Sequence, residues 1–464
     1  MMKIAKIRIK GFQQFKDIEL DFTHPKTGEP LDKICFIGSN GTGKSTILNF
    51  IHGFLFRRAL HPFYTALNPT EVPSFTSKVS YKIDIIMANN EKYSWVHPKG
   101  NIRRDIVFTE KEYNDWSKDN NPLDNEYTLD SVDNLNKPDT DELFNSFKLN
   151  SNSSDLIINI PSETKENRYV QINDVPITNL NESIGLINNF PLIHEVSSEK
   201  IEDFWKVLIA LIKKRENERI AFETASQNID KSKRQLIEEF DKIYPEIMDK
   251  LSEIWNKILA KANLELDTEG VRNPIQLTDN LYAYIRTKDT KERISYNRLS
   301  TGIRNFIFKI GHIYSLYFNR EIKRGFLLID EPENSLYPDF LFDLMEIYDE
   351  IVKDKNGENN TQMFFATHNP IVAAQFEPHE RIILEWHSDG SVKAHKGTAP
   401  AGDDPNDLLE YDFALKNLMG KKGREMWDKY VDLKKKLIRT QGTNEKIALA
   451  EQISKIGNAY NFSE

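Results

Sequence analysis

Residues 38–45 read Gly-Ser-Asn-Gly-Thr-Gly-Lys-Ser, a complete G-x-x-x-x-G-K-S pattern. Glycines at this spacing let the backbone curl so that successive N–H groups converge on phosphate oxygens. The helix start that follows adds positive dipole, and the lysine ammonium reaches the outer phosphates. The candidate nucleotide-binding residues are Gly38, Ser39, Asn40, Gly41, Thr42, Gly43, Lys44, Ser45 and Thr46, with the Ser45 hydroxyl placed to hold Mg2+. The plain alternative is a chance glycine-rich turn. Against it stands the context, an apolar run Ile34–Ile37 before the loop and a helical run Ile47–Phe54 after it, the strand, loop, helix order that phosphate binding requires.

Three further groups could complete such a site. The apolar run Gly325–Ile329 ends in Asp330 and Glu331. A carboxylate at a strand's end can hold Mg2+ through water, and its neighbour can polarise the water that attacks a γ-phosphate. A second apolar run, Met363–Ala366, ends in Thr367 and His368, and such a histidine can hydrogen-bond the γ-phosphate or the attacking water. Finally, Leu299-Ser300-Thr301-Gly302 precedes the helical run Phe306–Leu316, so Ser300 and the backbone at Gly302 form another phosphate-recognising helix start. Each has a plain reading as well: a solvated acidic strand end, a loop histidine, a helix cap.

The elements that must position these residues follow from periodicity. Ile4, Ile7 and Ile9, then Ile18–Phe22, then Tyr81–Met87, Tyr93–His97 and Ile106–Phe108 read as strands. Residues 111–155 are rich in Asn, Asp and Ser and read as a loop-rich insertion. From Ser198 to about Leu264 the pattern is helical, with Pro245 expected to kink or break it; a helical arm and a helical subdomain packed on the core are both open readings. The runs before Asp330 and His368 read as parallel core strands separated by a helix over Leu341–Val352.

The chain has 464 residues, a net charge of −9, and 39% hydrophobic beside 29% charged residues, with 27 Phe, 17 Tyr and 6 Trp. That aromatic content excludes global disorder. The longest apolar run, near Val207–Ile212, is too short to span a bilayer, and MMKIAKIRIK interleaves lysines where a signal peptide would build an apolar core. A cytoplasmic protein with no membrane partner is expected. The single cysteine, Cys35, excludes an internal disulfide and reads as a small core hydrophobe.

Taken in order, Gly38–Thr46, Leu299–Gly302, Leu327–Pro338 and Ala366–Pro370 resemble an ABC-type ATPase head of the branch that includes RecF, SMC and OLD-like proteins. The segment Asp330-Glu-Pro-Glu-Asn-Ser-Leu-Tyr-Pro338 and the opening Ile7-Arg-Ile-Lys-Gly-Phe12 carry the likeness to this branch. The resemblance implies an α/β fold, an ABC-type P-loop head with an N-terminal antiparallel β lobe, a helical insertion and a helical C-terminal tail. The expected divisions are an N-terminal lobe with the phosphate loop over 1–110, a loop-rich insertion with strands over 111–197, a helical arm or short coiled hairpin over 198–264, a C-terminal lobe over 265–397 and a helical tail, a candidate partner-docking region, over 398–464. It implies ATP and Mg2+ as ligands, with Lys44 and Ser45 on phosphate and metal, Asp330 on the metal, Glu331 on the water and His368 on the γ-phosphate. Ser300 and Gly302 would serve the nucleotide of a second subunit. Two departures stand out: Ile303-Arg304-Asn305 follow Gly302 where many relatives carry Gln or Glu, and the glutamine-bearing loop has only Gln171 as a candidate.

The segment after His368 shows a strand pair, Arg381–Trp386 and Val392–His395, a polar turn and helices; His379, His387 and His395 read as exposed strand residues. The turn Gly402–Leu409 has a plain reading as a helix start capped by Asp404 or Asn406, and it also resembles the tails of standalone defence ATPases. Size, short arm and a tail that shows neither the clustered carboxylates of a TOPRIM nuclease nor an HNH histidine cluster are most similar to the PtuA ATPase subunits of Septu-type antiphage systems, including retron-linked ones. That likeness implies a homo-oligomer, a separately encoded HNH nuclease of PtuB type, nucleic acid contacted through the complex, and slow or regulated hydrolysis. Residues 416–440 carry nine Lys or Arg against three acids, a phosphate-contacting face or a solvated amphipathic helix. A RecF-like DNA-repair ATPase and a low-turnover nucleotide-sensing scaffold are the competing readings.

Overall fold

The computed structural model describes residues 3–60, 81–97, 106–118, 155–162, 193–196, 201–228, 230–244, 246–267, 285–294, 298–320, 324–353, 357–402, 405–413, 419–460 and 462. Its described residues form two compact units, Met1–Asp403 and Asp404–Glu464.

The first unit begins with alternation. In β1 (Ile4–Phe12), Ile7 and Ile9 turn inward while Lys6, Arg8 and Lys10 turn outward, as a half-buried strand requires. β1 pairs antiparallel with β2 (Phe15–Asp21) and with β4 (Tyr81–Met87), and β5 (Lys92–His97) and β6 (Ile106–Thr109) complete a five-stranded sheet in the order β2-β1-β4-β5-β6. This is the expected N-terminal antiparallel lobe.

The second sheet is the parallel core. β3 (Lys33–Gly38), β7 (Asp155–Ile160), β8 (Ile193–Glu195), β11 (Arg324–Asp330), β12 (Thr361–Thr367), β13 (Arg381–Trp386) and β14 (Val392–Lys396) stand in the order β14-β13-β3-β12-β11-β7-β8. Only β14 runs antiparallel to its neighbour. Every residue of β12 is buried, because both faces of the sheet are covered. Phe364 points to one side and stacks near Phe22 and Phe36; Phe365 points to the other and meets Tyr348 and Phe376 edge-on.

Helix α1 (Lys44–Leu60) lies between the two sheets. Phe50 meets Phe12 at 4.9 Å and Trp95 at 5.5 Å on the antiparallel side, edge-to-face contacts that add about 0.5–1.5 kcal/mol each beyond burial. The same helix contacts β3, β11 and β12 on its other side, so Ile47, Leu48, Phe50, Ile51, Phe54 and Leu55 are all buried.

The stretch 111–197, expected as a loop-rich insertion with strands, contributes β7 and β8 to the core sheet, and a short helix, α2 (Glu110–Ser117), is closed by a capping box between Thr109 and Glu112. The helical region resolves toward the packed alternative. α3 (Ile201–Thr224) and α5 (Ile247–Lys261) both contact α6 (Thr301–Arg320), and α5 buries Leu251, Ile254, Trp255 and Ile258. α4 (Lys233–Ile243) buries only Phe240. The helical pattern ends at Lys261 and gives way to a strand pair, β9 (Leu264–Leu266) with β10 (Ile285–Thr287). Pro245, Gln171 and Asp404 lie outside the described residues. Beyond β11 come α7 (Pro338–Leu341) and α8 (Leu344–Ile351), and beyond β12 the short α9 (Pro370–Ala373).

The second unit holds α10 (Pro405–Tyr411) and a hairpin of α11 (Lys421–Arg439) with α12 (Thr443–Tyr460). Tyr430, Leu433 and Ile456 form its small core, closed by Trp427 and Phe462, whose rings meet at 5.0 Å. The boundary falls at 403/404, a few residues beyond the expected start of the tail. No helix among the described residues is long and apolar enough to cross a membrane.

Candidate functional site

Strands β3, β12 and β11 are neighbours, and all three end at the same edge of the sheet. That register gathers Gly38–Ser45, Thr367–His368 and Asp330–Glu331 at one place, though they are far apart in sequence. β3 leads into the glycine loop, and α1 starts at Lys44. The Thr42 N–H donates to the Ser39 carbonyl at 3.3 Å, and the Thr42 hydroxyl to the same oxygen at 2.9 Å, which holds the curl. Gly43 has φ +96, and a Cβ there would overlap the buried Phe15 ring, so no other residue fits. Ser39, Asn40, Gly41 and Ser45 are exposed, and Thr46 is half-buried.

Lys44 is buried, and its ammonium donates to the Gly38 and Ser39 carbonyls at 2.8 and 3.2 Å. Burial pulls its pKa below the ordinary lysine value, while Asp330, Glu331 and Glu333 pull the other way. The loop thus holds a cation beside three carboxylates at the helix start.

Asp330 ends β11, and its carboxyl is pushed above the usual carboxylate range by burial and by the Glu331 charge. Hydrogen bonds from the Ser45 and Ser162 hydroxyls and the Lys44 charge act in the opposite sense. Its Oδ1 is buried and has no hydrogen-bond partner among the described residues. A desolvated carboxylate oxygen left short of positive charge, next to a serine hydroxyl, is the donor set a hard cation takes. The residues present therefore fit Mg2+.

Glu331 sits in the left-handed region with φ 49, a conformation that costs a non-glycine residue on the order of 1–2 kcal/mol. Its N–H still donates to Ala366 at 2.8 Å, so the sheet ladder continues while the side chain is turned out of the strand. The turn brings the Glu331 carboxylate to 3.4 Å from His368 Nδ1. His368 is 54% exposed, and the same nitrogen lies 3.6 Å from Glu333 Oε1.

The sequence assigned no role to Glu333, the second glutamate of the Asp-Glu-Pro-Glu segment. It is buried, and its Oε1 accepts from the Thr367 hydroxyl at 2.6 Å and from the His368 N–H at 3.2 Å, clamping the end of β12 to the turn after β11. Burial raises its pKa. No local signal marks it, because the clamp forms only when β11 and β12 lie side by side. Ser162 went without a role because the strands expected within 111–197 were not placed, and half-exposed Trp386, at the end of β13 beside Gly41, also went without one.

Ser300 and Gly302 stand at the start of α6. The Ile303 N–H donates to the Ser300 hydroxyl at 3.4 Å, so Ser300 caps α6 as the plain reading has it. Gly302 packs so tightly on the Ser335 carbonyl that a Cβ would overlap it. Ser335, with φ 66, lies in the turn that follows Glu331, Pro332 and Glu333, so the start of α6 rests on the loop carrying the strand-end carboxylates.

The three tail histidines do not gather: His387 sits 3.2 Å from Asp389, His395 3.5 Å from Glu385, and His379 stacks edge-on with His24. A cavity of about 440 Å³ opens near Asp32 and Lys33, at the start of β3 and so at the opposite end from the glycine loop.

Residues 2–373 match the family described as AAA ATPase domain. Among solved structures, the chain is similar to the recombination mediator protein RecF of the RecFOR pathway. The RecF-ATPrS structure matches at 14% identity, covering 85% of this chain and 98% of that one, with a TM-score of 0.32. The RecF-ATP structure matches at 14% identity, covering 86% and 98%, with a TM-score of 0.31. No curated protein matches. With the family match extending over the glycine loop, the turn that carries Asp330, Glu331 and Glu333, and His368, the chain belongs to the AAA ATPase domain family.

Proposed function

We propose that this chain binds and hydrolyses ATP at the edge where β3, β11 and β12 end, and that paired heads close on the nucleotide. The observation that carries this reading is the convergence of Lys44, Ser45, Asp330, Glu331 and His368 on one sheet edge. The backbone of Gly38–Ser45 cradles the phosphates, and Lys44 exchanges its carbonyl partners for the outer phosphate oxygens. Ser45 and Asp330 would hold Mg2+, which supplies charge neutralisation on the phosphates.

Glu331 takes a proton from water as that water's oxygen bonds to the γ-phosphorus. The bond to the β–γ bridging oxygen breaks, ADP leaves with that electron pair, and the proton passes on to inorganic phosphate. His368, held by Glu333 through its own N–H, fixes the γ-phosphate or the water. Ser300 and the α6 start at Gly302 approach the nucleotide of a second copy.

At the finer level the chain is read as the regulatory ATPase of an antiphage complex, controlling a separately encoded nuclease of HNH type through nucleotide-dependent pairing of heads in the cytoplasm. What supports this is the likeness of the turn Gly402–Leu409 to the tails of standalone defence ATPases, together with the chain's size and short helical region.

The deciding experiment is equilibrium binding of a fluorescent ATP analogue to wild type and Lys44→Ala, followed by co-purification of the whole operon with and without ATP. Lys44→Ala should lose tight binding, since it removes the lysine of the phosphate loop. Unchanged affinity overturns the site assignment. A complex with a nuclease subunit supports the regulatory role, whereas ATP-dependent capture of duplex DNA by the chain alone favours the RecF-like one.

A further inference from the structure

The turn after β11 brings two glutamates to one histidine. His368 Nδ1 lies 3.4 Å from the Glu331 carboxylate and 3.6 Å from Glu333 Oε1. Ionised carboxylates only accept, so this nitrogen carries a proton, and one N–H serves one close, linear bond at a time. The backbone around the ring is fixed. The Glu331 N–H donates to the Ala366 carbonyl at 2.8 Å, the His368 N–H to Glu333 Oε1 at 3.2 Å, and the Asn369 N–H to the Thr367 hydroxyl at 2.9 Å. The half-exposed imidazole is what remains able to turn. Solvent separates the two acceptors, because the Glu331 side chain is 35% exposed and that of Glu333 only 6%. Water can satisfy the first. The second has Oε1 filled by the Thr367 hydroxyl at 2.6 Å and the His368 N–H, while its Oε2 is buried with no hydrogen-bond partner among the described residues. A desolvated carboxylate short of donors is the stronger acceptor of the two.

We propose that Glu333 is a positioning residue for hydrolysis: it draws the His368 Nδ1–H away from Glu331, so that the Glu331 carboxylate stays free for the proton of the attacking water. This rests on the ATP-site reading above. Glu333 is buried and acts through the imidazole, not on the nucleotide. The left-handed turn at Glu331, φ 49, aims the base toward the histidine, and without a competing acceptor the two would pair. A mere clamp between β12 and the turn after β11 makes a different prediction. Loss of a clamp costs the same with or without the imidazole, whereas loss of a competitor matters only while there is a ring to hold.

The test is a double-substitution cycle in the full chain, read as phosphate release from ATP with Mg2+ and as binding of a fluorescent ATP analogue. Glu333→Gln keeps an oxygen for the Thr367 hydroxyl and the His368 N–H but sets an amide NH2, a donor, where Oε2 accepts, so the imidazole turns to Glu331. Its kcat should fall on the order of 10-fold, within the range by which contacting residues couple, with analogue affinity unchanged. In a His368→Ala chain the same change should lower kcat less than about twofold, because no ring is left to occupy the base. Where His368→Ala releases no phosphate, nitrogen-15 NMR of the histidine-labelled chain decides: the His368 Nδ1 resonance should move with Glu333→Gln and stay with Glu331→Gln. A kcat untouched by Glu333→Gln, equal losses with and without the imidazole, or an Nδ1 resonance that answers to Glu331→Gln alone overturns the assignment and leaves the ATP site standing. If wild type itself releases no phosphate, the reading of the site falls first and this one with it.

Discussion

Lysines, aspartates and glutamates crowd both the edge where β3, β11 and β12 end and the outer face of α11, yet the two regions use them differently. At the strand ends Lys44, Asp330 and Glu333 are buried, and backbone elements hold each one. Burial lowers the Lys44 pKa and raises those of Asp330 and Glu333. Along α11 the charged residues Glu425, Asp428, Lys429, Asp432, Lys435, Lys436 and Arg439 are exposed, while Met426, Trp427, Tyr430, Leu433 and Leu437 are covered. Charge type is the same; solvent decides the rest. A group desolvated by its fold can polarise a bond, whereas one in water is screened within about 8–10 Å.

The sharpest way to test that contrast is the strained glutamate. Glu331→Gln keeps shape and hydrogen bonding but cannot take a proton, so ATP should stay bound while phosphate release slows about 100-fold or more. Equal turnover by the two proteins would remove Glu331 from the base role and leave its φ of 49 without a chemical purpose.

A smaller effect is expected from Glu333→Gln, read as stability. The native carboxyl has a raised pKa, so between its unfolded and folded values the native state holds more protons, and stability falls as pH rises through that window. A neutral amide escapes this loss. Without nucleotide, Glu333→Gln should therefore unfold about 1–2 °C above wild type at pH 8, the gain shrinking toward zero as pH drops into the ordinary carboxylate range. Lys44, Cys35, Tyr348 and His368 also feel the Glu333 charge, so the trend must be read against the wild-type curve at each pH. A difference that grows on acidification would contradict the buried-charge account.

How much of this was legible in sequence differs by region for a physical reason. Strands β3, β11 and β12 are short apolar runs buried on both faces and ended by polar residues, and local composition suffices to see them. β7 has a similar pattern, Leu156–Ile158 and Ile160, but it follows an Asn- and Ser-rich stretch, so strands were expected in this segment without a place in the core sheet. What no local pattern carries is the cross-strand geometry. The positive φ of Glu331, the clamp from Glu333 to Thr367 and His368, and the seat of Gly302 on Ser335 all depend on elements that meet only after folding. The α11 face was legible in the opposite way, because a helical repeat of apolar residues already says which side is dry.

That last point supplies the weakest expected effect, and it is informative because it is weak. Residues 425, 428, 432, 435, 436 and 439 recur at three- and four-residue spacing on the wet side of α11, where acids and bases can neutralise each other. Exposed pairs of this kind contribute about 0–1 kcal/mol, and salt reduces even that. Replacing Lys435 and Lys436 together by Gln should then move the unfolding midpoint of the full chain in denaturant by no more than about 0.5 kcal/mol, with ATP affinity unchanged. Tyr430→Ala, by contrast, opens the hairpin core beside Ile456 and Phe462 and should cost about 3 kcal/mol of that unit's stability. If the double lysine variant instead unfolds as readily as Tyr430→Ala, the α11 charges are not solvated bystanders. The division between buried working charges and screened surface ones would then fail in the region where it is simplest.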